Sequence, residues 1–518
     1  MTGPWYDAVV VGAGFGGLGA ALELTRRGAR VALCETLNYP GGCASTFHRH
    51  GHAFESGATL FSGLADGQLF GRWVRELGLD VTVDWVDPLV ELRTPGMRLV
   101  VYHDRDRLLD QLRAFPGAPA RALGDFFALQ RRVADALWPL FDDPTLLPPL
   151  DVRALLHHAS RAGSYLPLAR WMGRPLGAVL EHLGLLGFTP LRTYLDALCQ
   201  ITVQCAAAEA EAPFALAAMD YYWRGTGHVR GGIGQLARAL AGAVTAEGGD
   251  VLLANRVKSL TPTSGGWRVE SRRGELLTRH VVANVLPQGL ARLLSPTASK
   301  QLPHRVRSLA GKVAEGWGAV MLYLVVGAPE GASPHAHHLE LIQEPHAPFI
   351  EGNHLFASFS GEADMGRAPP GQRTVTVSTH VPLRALRDAS PEERARLVSR
   401  LQQRMREGLE HLAPEWMRDV RHEMTGSPRT FERFTGRDGG AVGGVPRRAG
   451  LHHYVSMSPR PVLEGLWLVG DSVFPGQSTL ATALGGVRTA ARVAPRQSPA
   501  KRTPAAFASA TSASTFWR

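Results

Sequence analysis

The seven residues Tyr6-Asp-Ala-Val-Val-Val-Gly12 run straight into Gly14, Gly16 and Gly17. A β-branched run without polar alternation reads as a parallel strand buried on both faces. In the Gly-x-Gly-x-x-Gly pattern that follows, Gly12 permits a tight turn, Gly14 lets a pyrophosphate approach the backbone, and Gly17 lets the next helix pack closely on the sheet. Leu18, Ala21, Leu22 and Thr25 then recur at helical spacing up to about Gly28, and Arg30 to Glu35 reads as the second strand of a βαβ unit. The helix turns its positive end towards the phosphates. Glu35, 23 positions beyond Gly12, stands where a carboxylate accepts hydrogen bonds from ribose hydroxyls and repels a 2′-phosphate. This order of elements predicts a dinucleotide-binding domain.

Three further segments select the dinucleotide. Pro40-Gly41-Gly42-Cys43 and Phe54-Glu-Ser-Gly57-Ala58 offer backbone N–H groups to an extended cofactor crossing the fold. Near the other end, Leu466-Trp-Leu-Val-Gly470-Asp471-Ser472 repeats the strand-then-glycine logic with an acidic residue added. Asp471 is suited to accept from ribityl hydroxyls. A helix beginning near Ser478, with Thr479 and Leu480 in its first turn, is placed to aim N–H groups at the flavin pyrimidine edge, where they stabilise negative charge on reduced flavin. The pairing of this block with the N-terminal fingerprint points to FAD.

The chain between about 105 and 224 is Leu- and Ala-rich with Pro-rich turns and reads as a helical lobe. Helix then strand return over Gly231 to Leu260, with strands at Trp267–Glu270 and His280–Val285. Strands at Trp317–Val326 and Thr374–His380 belong to a second sheet, a helix spans about Pro391 to Leu412, and Ser478 to Val493 closes the fold. The predicted class is α/β: a Rossmann-type FAD-binding domain with a βαβ dinucleotide fold, plus a mixed-sheet and helical substrate domain. The expected division is discontinuous, with 1–104, 225–300 and 440–495 forming the FAD domain and 105–224 and 301–439 the substrate domain with a membrane-facing lobe. The Pro-, Ala-, Ser- and Thr-rich stretch 496–518 reads as a disordered tail.

Three blocks together resemble phytoene desaturases and carotenoid isomerases, in the flavoprotein superfamily that also holds amine oxidases and retinol saturases. They are Gly12 to Gly57, Gly231-Gly-Ile-Gly-Gln-Leu-Ala-Arg-Ala-Leu240 running on to Val257, and Gly470-Asp-Ser-Val-Phe-Pro-Gly-Gln477. The resemblance implies that Gly12, Gly14, Gly17, Glu35, Gly42, Val257, Gly470 and Asp471 contact FAD, Val257 through its backbone beside the adenine. The implied chemistry is desaturation, with hydride passing from an allylic carbon of an apolar polyene to flavin N5. The terminal block is closest to the isomerase version, but Ser478 and Thr479 stand where glycine is expected in that branch. Redox-neutral cis-trans isomerisation or polyene saturation on reduced FAD is the alternative. An amine or porphyrinogen oxidase, and a non-catalytic lipid- or partner-binding relative resembling the GDP-dissociation inhibitors, are further options. No catalytic acid or base is assigned. Without a second strand-linked glycine fingerprint for NAD(P)H, quinone or oxygen is the expected electron acceptor.

Composition narrows the classes further. With 518 residues, 45% hydrophobic and 20% charged, the chain builds a large core. The net charge of +10 suggests nucleic acid, but 52 of the 56 basic residues are Arg and no basic run occurs, so no nucleic-acid partner is expected. Weak attraction to an anionic membrane surface is retained. Cys34, Cys43, Cys199 and Cys205 form no C-x-x-C pair, which fits a reducing compartment. Without a signal-like N-terminus or an apolar run of spanning length, the expected location is the cytoplasm, peripherally on the inner face of the cell membrane. His335, His337 and His338, with His346 nearby, sit in Pro- and Gly-rich surroundings that favour a loop over a metal site. His157-His158 and His452-His453 read as helix or loop residues, and no metal is expected. No nucleophile-elbow, P-loop or zinc-protease motif is present.

Overall fold

The computed structural model describes residues 3–60, 62–147, 150–364, 366–451 and 460–494. The expected tail and His452-His453 lie outside the described residues.

Strand β1 (Trp5–Val11) is flanked by parallel partners on both sides: β2 (Val31–Cys34) and the long strand Gly274–Ala283. The helix α1 (Phe15–Arg26) joins β1 to β2 as a right-handed crossover requires. Asp250–Leu252 extends the sheet beyond β2, and Leu466–Leu468 pairs in parallel with Val281–Ala283. The antiparallel strands Val257–Thr263 and Gly266–Ser271 finish this sheet of seven strands among the described residues. Val9, Val10, Leu33, Val281 and Val282 are fully buried, so the unbroken β-branched runs serve a sheet covered on both faces. The closing helix Thr479–Val493 packs along α1, and Gly19 and Gly486 allow the two backbones to meet there, since a Cβ on either would collide with the other helix.

The second sheet is built on Trp317–Gly327, which pairs antiparallel with Gln372–Pro382 and Val420–Gly426. Beyond Gln372–Pro382 lie His354–Phe359 and His337–Ile342. One face of this sheet buries Leu322, Leu339, Leu341, Leu355 and Val377 against the helix Pro391–Leu412. That helix starts at a capping box in which Ser390 and Glu393 satisfy each other's backbone N–H groups.

Two expectations need correction. His337 and His338 stand on a strand and not in a loop, with His338 and His354 buried. The alternation is present, Leu339 and Leu341 facing the core, but the opposite face carries His338 and Glu340, which imitates a polar surface segment. The hairpin Val90–Thr94 and Met97–Val101 falls inside the span 1–104, yet it pairs with His337–Ile342 and so belongs to the second sheet. Its backbone donors and acceptors are satisfied there and not in the first sheet.

Between Arg105 and Met219 the described residues are mostly helical, in agreement with the periodicity. These helices bury a large Leu-, Phe- and Ala-rich cluster that includes Leu123, Phe126, Leu195 and Leu216. The lobe sits over the second sheet: Tyr222 donates to Glu340 Oε1 at 2.8 Å and Trp223 Nε1 to the Tyr102 carbonyl at 2.8 Å.

Candidate active site

Of the thirteen residues singled out by sequence, twelve line one cavity of about 1350 Å³. They are Gly12, Gly14, Gly16, Glu35, Gly41, Gly42, Gly57, Val257, Gly470, Asp471, Thr479 and Leu480. Gly17 does not line it, and acts one layer behind: a Cβ there would lie 1.9 Å from the Gly12 carbonyl oxygen, so any side chain would push α1 off the turn. Gly12 itself holds φ +92°, the left-handed region that glycine enters without penalty.

Asn284, which the sequence reading passed over, organises this end of the cavity. Its backbone N–H donates to the Val11 carbonyl at 2.8 Å, and its side chain fills the space between Gly14, Gly16 and Gly470. A Cβ on Gly16 would lie 2.7 Å from Asn284 Oδ1, and one on Gly14 2.8 Å from its Nδ2. The signal that could have found it is its place at the carboxyl end of a central parallel strand, where open α/β sheets receive ligands.

Glu35 is buried at the end of β2, and both its carboxylate oxygens are occupied by backbone donors. Ala13 N–H donates to Oε2 at 2.7 Å and Leu37 N–H to Oε1 at 2.9 Å. Burial pushes its carboxyl pKa up, and these N–H groups oppose that shift. Lone pairs remain on each oxygen for further donors. Asp471 is met by Arg437, whose Nη2 lies 2.6 Å from Oδ2, and by the Ser472 hydroxyl at 3.2 Å. Arg437, also unforeseen, reaches in from 34 positions upstream.

At the N-terminus of the closing helix, Ser478 adopts φ +97° and its Oγ accepts from the Ala481 N–H at 3.1 Å. The first-turn N–H groups of an α-helix have no partner inside it. The Thr479 hydroxyl is buried without a hydrogen-bond partner in the described structure. This end of the cavity thus combines a glycine cradle with little room for side chains, a helix N-terminus and a buried hydroxyl without a partner among the described residues. That set fits a flavin dinucleotide lying across both segments.

The rest of the cavity is mainly apolar. It runs under the helical lobe, lined by Leu137, Trp138, Phe141, Leu147, Leu168 and Phe214, with Ala319, Met321, Phe356, Ser378 and His380 on the facing sheet. His158, on the rim, donates from Nε2 to the Leu146 carbonyl at 2.7 Å and shares a hydrogen bond of 2.8 Å between Nδ1 and Tyr165 Oη.

The model of the flavin containing amine oxidoreductase family matches residues 15–494. The chain belongs to that family. Within it, the chain is similar to a chloroplastic prolycopene isomerase of Arabidopsis thaliana, 25% identical over 94% of this chain and 82% of that protein. It is likewise similar to a neurosporene-forming phytoene desaturase of Cereibacter sphaeroides, 24% identical over 96% of each. A solved structure of a putrescine oxidase mutant shares the fold, with a TM-score of 0.63 at 17% identity over 95% of this chain and all of that one. As a member of this family the chain is an FAD-dependent oxidoreductase, and the resemblance to carotenoid desaturases and isomerases stands on full-length relatives of both kinds.

Proposed function

We propose that this family member oxidises polyene isoprenoids of the carotenoid class by desaturation, drawing hydride from an allylic carbon. The observation that carries the reading is a single cavity joining the dinucleotide cradle to an apolar chamber under the helical lobe. Bound FAD supplies a two-electron hydride acceptor. The chain's own part is to hold the polyene extended against the cofactor, exclude water and accept the departing proton. Conjugation already spreads developing positive charge along the substrate, so positioning supplies much of the rate.

In this reading Gly12, Gly14, Gly16, Gly41, Gly42 and Gly57 line the dinucleotide path, and Glu35 takes the ribose hydroxyls. Val257 lies by the adenine, Gly470 and Asp471 meet the ribityl chain, and Thr479 and Leu480 face the pyrimidine edge. Gly17 keeps α1 in place behind them. The cofactor unit is woven from both ends and the middle of the chain, and the substrate unit from the lobe and second sheet. Quinone or oxygen is the proposed acceptor. The rim carries exposed Val152, Leu155, Leu156 and Leu166 beside the chamber, which supports collection of substrate from the inner face of the cell membrane.

Isomerisation on reduced FAD is the second reading, favoured because prolycopene isomerases match over 80–85% of their own length. The deciding experiment is anaerobic incubation of the FAD-loaded protein with liposome-borne cis and all-trans carotenoids, oxidised against chemically reduced. Red-shifted products formed only with oxidised flavin establish desaturation. Products of unchanged mass formed only with reduced flavin establish isomerisation, and no change in any carotenoid removes the polyene reading.

A further inference from the structure

The desaturation proposed above must dispose of a proton, and the apolar chamber offers few groups to take it. Two carboxylates and two imidazoles line the cavity among the described residues: Glu35, Asp471, His158 and His380. Glu35 is bonded to two backbone N–H groups at the adenine-side strand end, and Asp471 is paired with Arg437. Both ring nitrogens of His158 are engaged at the rim. The His380 ring has no hydrogen-bond partner among the described residues, and its nearest aromatic neighbour is Trp317, with centroids 6.2 Å apart.

Its position in the sheet is equally specific. His380 stands opposite Ala319 in the register, two residues from Ser378, which pairs with Met321 and Phe356. All five line the cavity, so His380 shares the face turned to the chamber. Gly318, next to Ala319, pairs with Ala441, and the chain then passes Gly444, where a Cβ would lie 2.5 Å from the Asp471 carbonyl oxygen. The end of the sheet that bears His380 is thus joined, through Gly318 and the segment Ala441 to Gly444, to the Gly470–Asp471 end of the cradle.

We propose that His380 is the catalytic proton acceptor of this oxidoreductase. The inference rests on the desaturation reading. One C–H bond of the polyene breaks with its electron pair, which leaves as hydride to the oxidised flavin. On the neighbouring carbon the C–H pair becomes the new π bond, and the proton passes to a ring nitrogen of His380, which later returns it to water. The polyene loses two electrons and the flavin gains two. Burial, reinforced by nearby His354, pushes the His380 imidazole down to about 3, so its lone pair is free at neutral pH. So weak a base suffices, because a C–H next to a developing cation is far more acidic than an imidazolium.

The test compares the FAD-loaded parent with His380→Ala, with and without added imidazole, and also measures bound FAD and quenching of protein fluorescence by a carotenoid. The proposal expects FAD content and carotenoid binding within about twofold of the parent. Desaturation falls by about 100-fold or more and recovers in proportion to the free-base concentration of imidazole. Turnover within threefold of the parent overturns it. So does a loss that accompanies lost FAD or carotenoid binding and is not rescued by imidazole, since that marks a structural role. A parent that binds carotenoids but only isomerises them overturns the base assignment, whereas a parent inert to every polyene overturns the function reading and the base with it.

Discussion

Ser478 occupies a backbone conformation, φ +97° and ψ 154°, that side chains rarely adopt, at the cap of the helix aimed into the cofactor end. Strain of this kind costs about 1–3 kcal/mol and is kept where the surrounding structure over-determines it. Ser478→Gly removes the strain, gives up a cap worth only a few tenths relative to glycine, and adds unfolded-chain freedom. The expected net gain is about 1 kcal/mol, read as a raised denaturant midpoint with unchanged slope. Arg488, ten residues further along the helix, is buried over the Phe474 ring, with neither terminal nitrogen hydrogen-bonded among the described residues. Burial, aided by Arg492, pushes its pKa down to about 9. A cation whose folded pKa lies below its unfolded value destabilises the fold fully at neutral pH, and the deficit shrinks as pH rises through about 9. Arg488→Met should stabilise by about 1–4 kcal/mol and abolish the rise in stability between pH 9 and 11 that urea titrations of the parent are expected to show. At this scale the sequence is legible where one short segment carries the whole reason, as at Gly12, Glu35 and Asp471. Asn284, Arg437 and His380 were not legible, because nothing local distinguishes them until the topology brings them to the cavity.

Among elements, the strands of the first sheet could be read because burial on both faces leaves unbroken β-branched runs. The strand His337–Ile342 could not, since its chamber face carries His338 and Glu340 and so mimics a loop. The helices Val152–Ser160 and Ala162–Ala169 show the converse. Asp151 caps the first, its Oδ1 accepting from the Ala154 N–H at 2.8 Å, but the pair then leaves Val152 74% and Leu166 72% exposed. Together with Leu155, Leu156 and exposed Arg153, they form an apolar surface with a cation on it. None of the helices described is long and apolar enough to cross a bilayer; in the membrane reading proposed above, this patch is the surface that lies on one. Changing Val152, Leu155, Leu156 and Leu166 to Ser together should reduce co-flotation with anionic vesicles at least tenfold, leaving the thermal midpoint within about 2 °C because these side chains are exposed. Undiminished flotation would remove the patch from membrane binding.

On the scale of the whole molecule, one cavity is shared by the two ends of the chain, the middle and the lobe. FAD bound there touches segments that only the folded state holds together, so it stabilises by mass action. Free FAD at about 100 times its Kd should add about 2.7 kcal/mol to the unfolding free energy, and stripping the flavin should lower the thermal midpoint in proportion. An unchanged midpoint would place the flavin elsewhere. The paired fingerprint blocks made this much legible; the extent of the chamber was not, since it depends on how lobe and sheet face each other. The strand Leu466–Leu468 docks beside Val281–Ala283, and the cradle gains Gly470, Asp471 and the closing helix only after it. During synthesis, the ribosome must therefore release the segment that follows Leu468 before the flavin site is complete. Until then the growing chain carries an open apolar chamber without a completed cradle beside it, so a flavin can join the fold only late in synthesis.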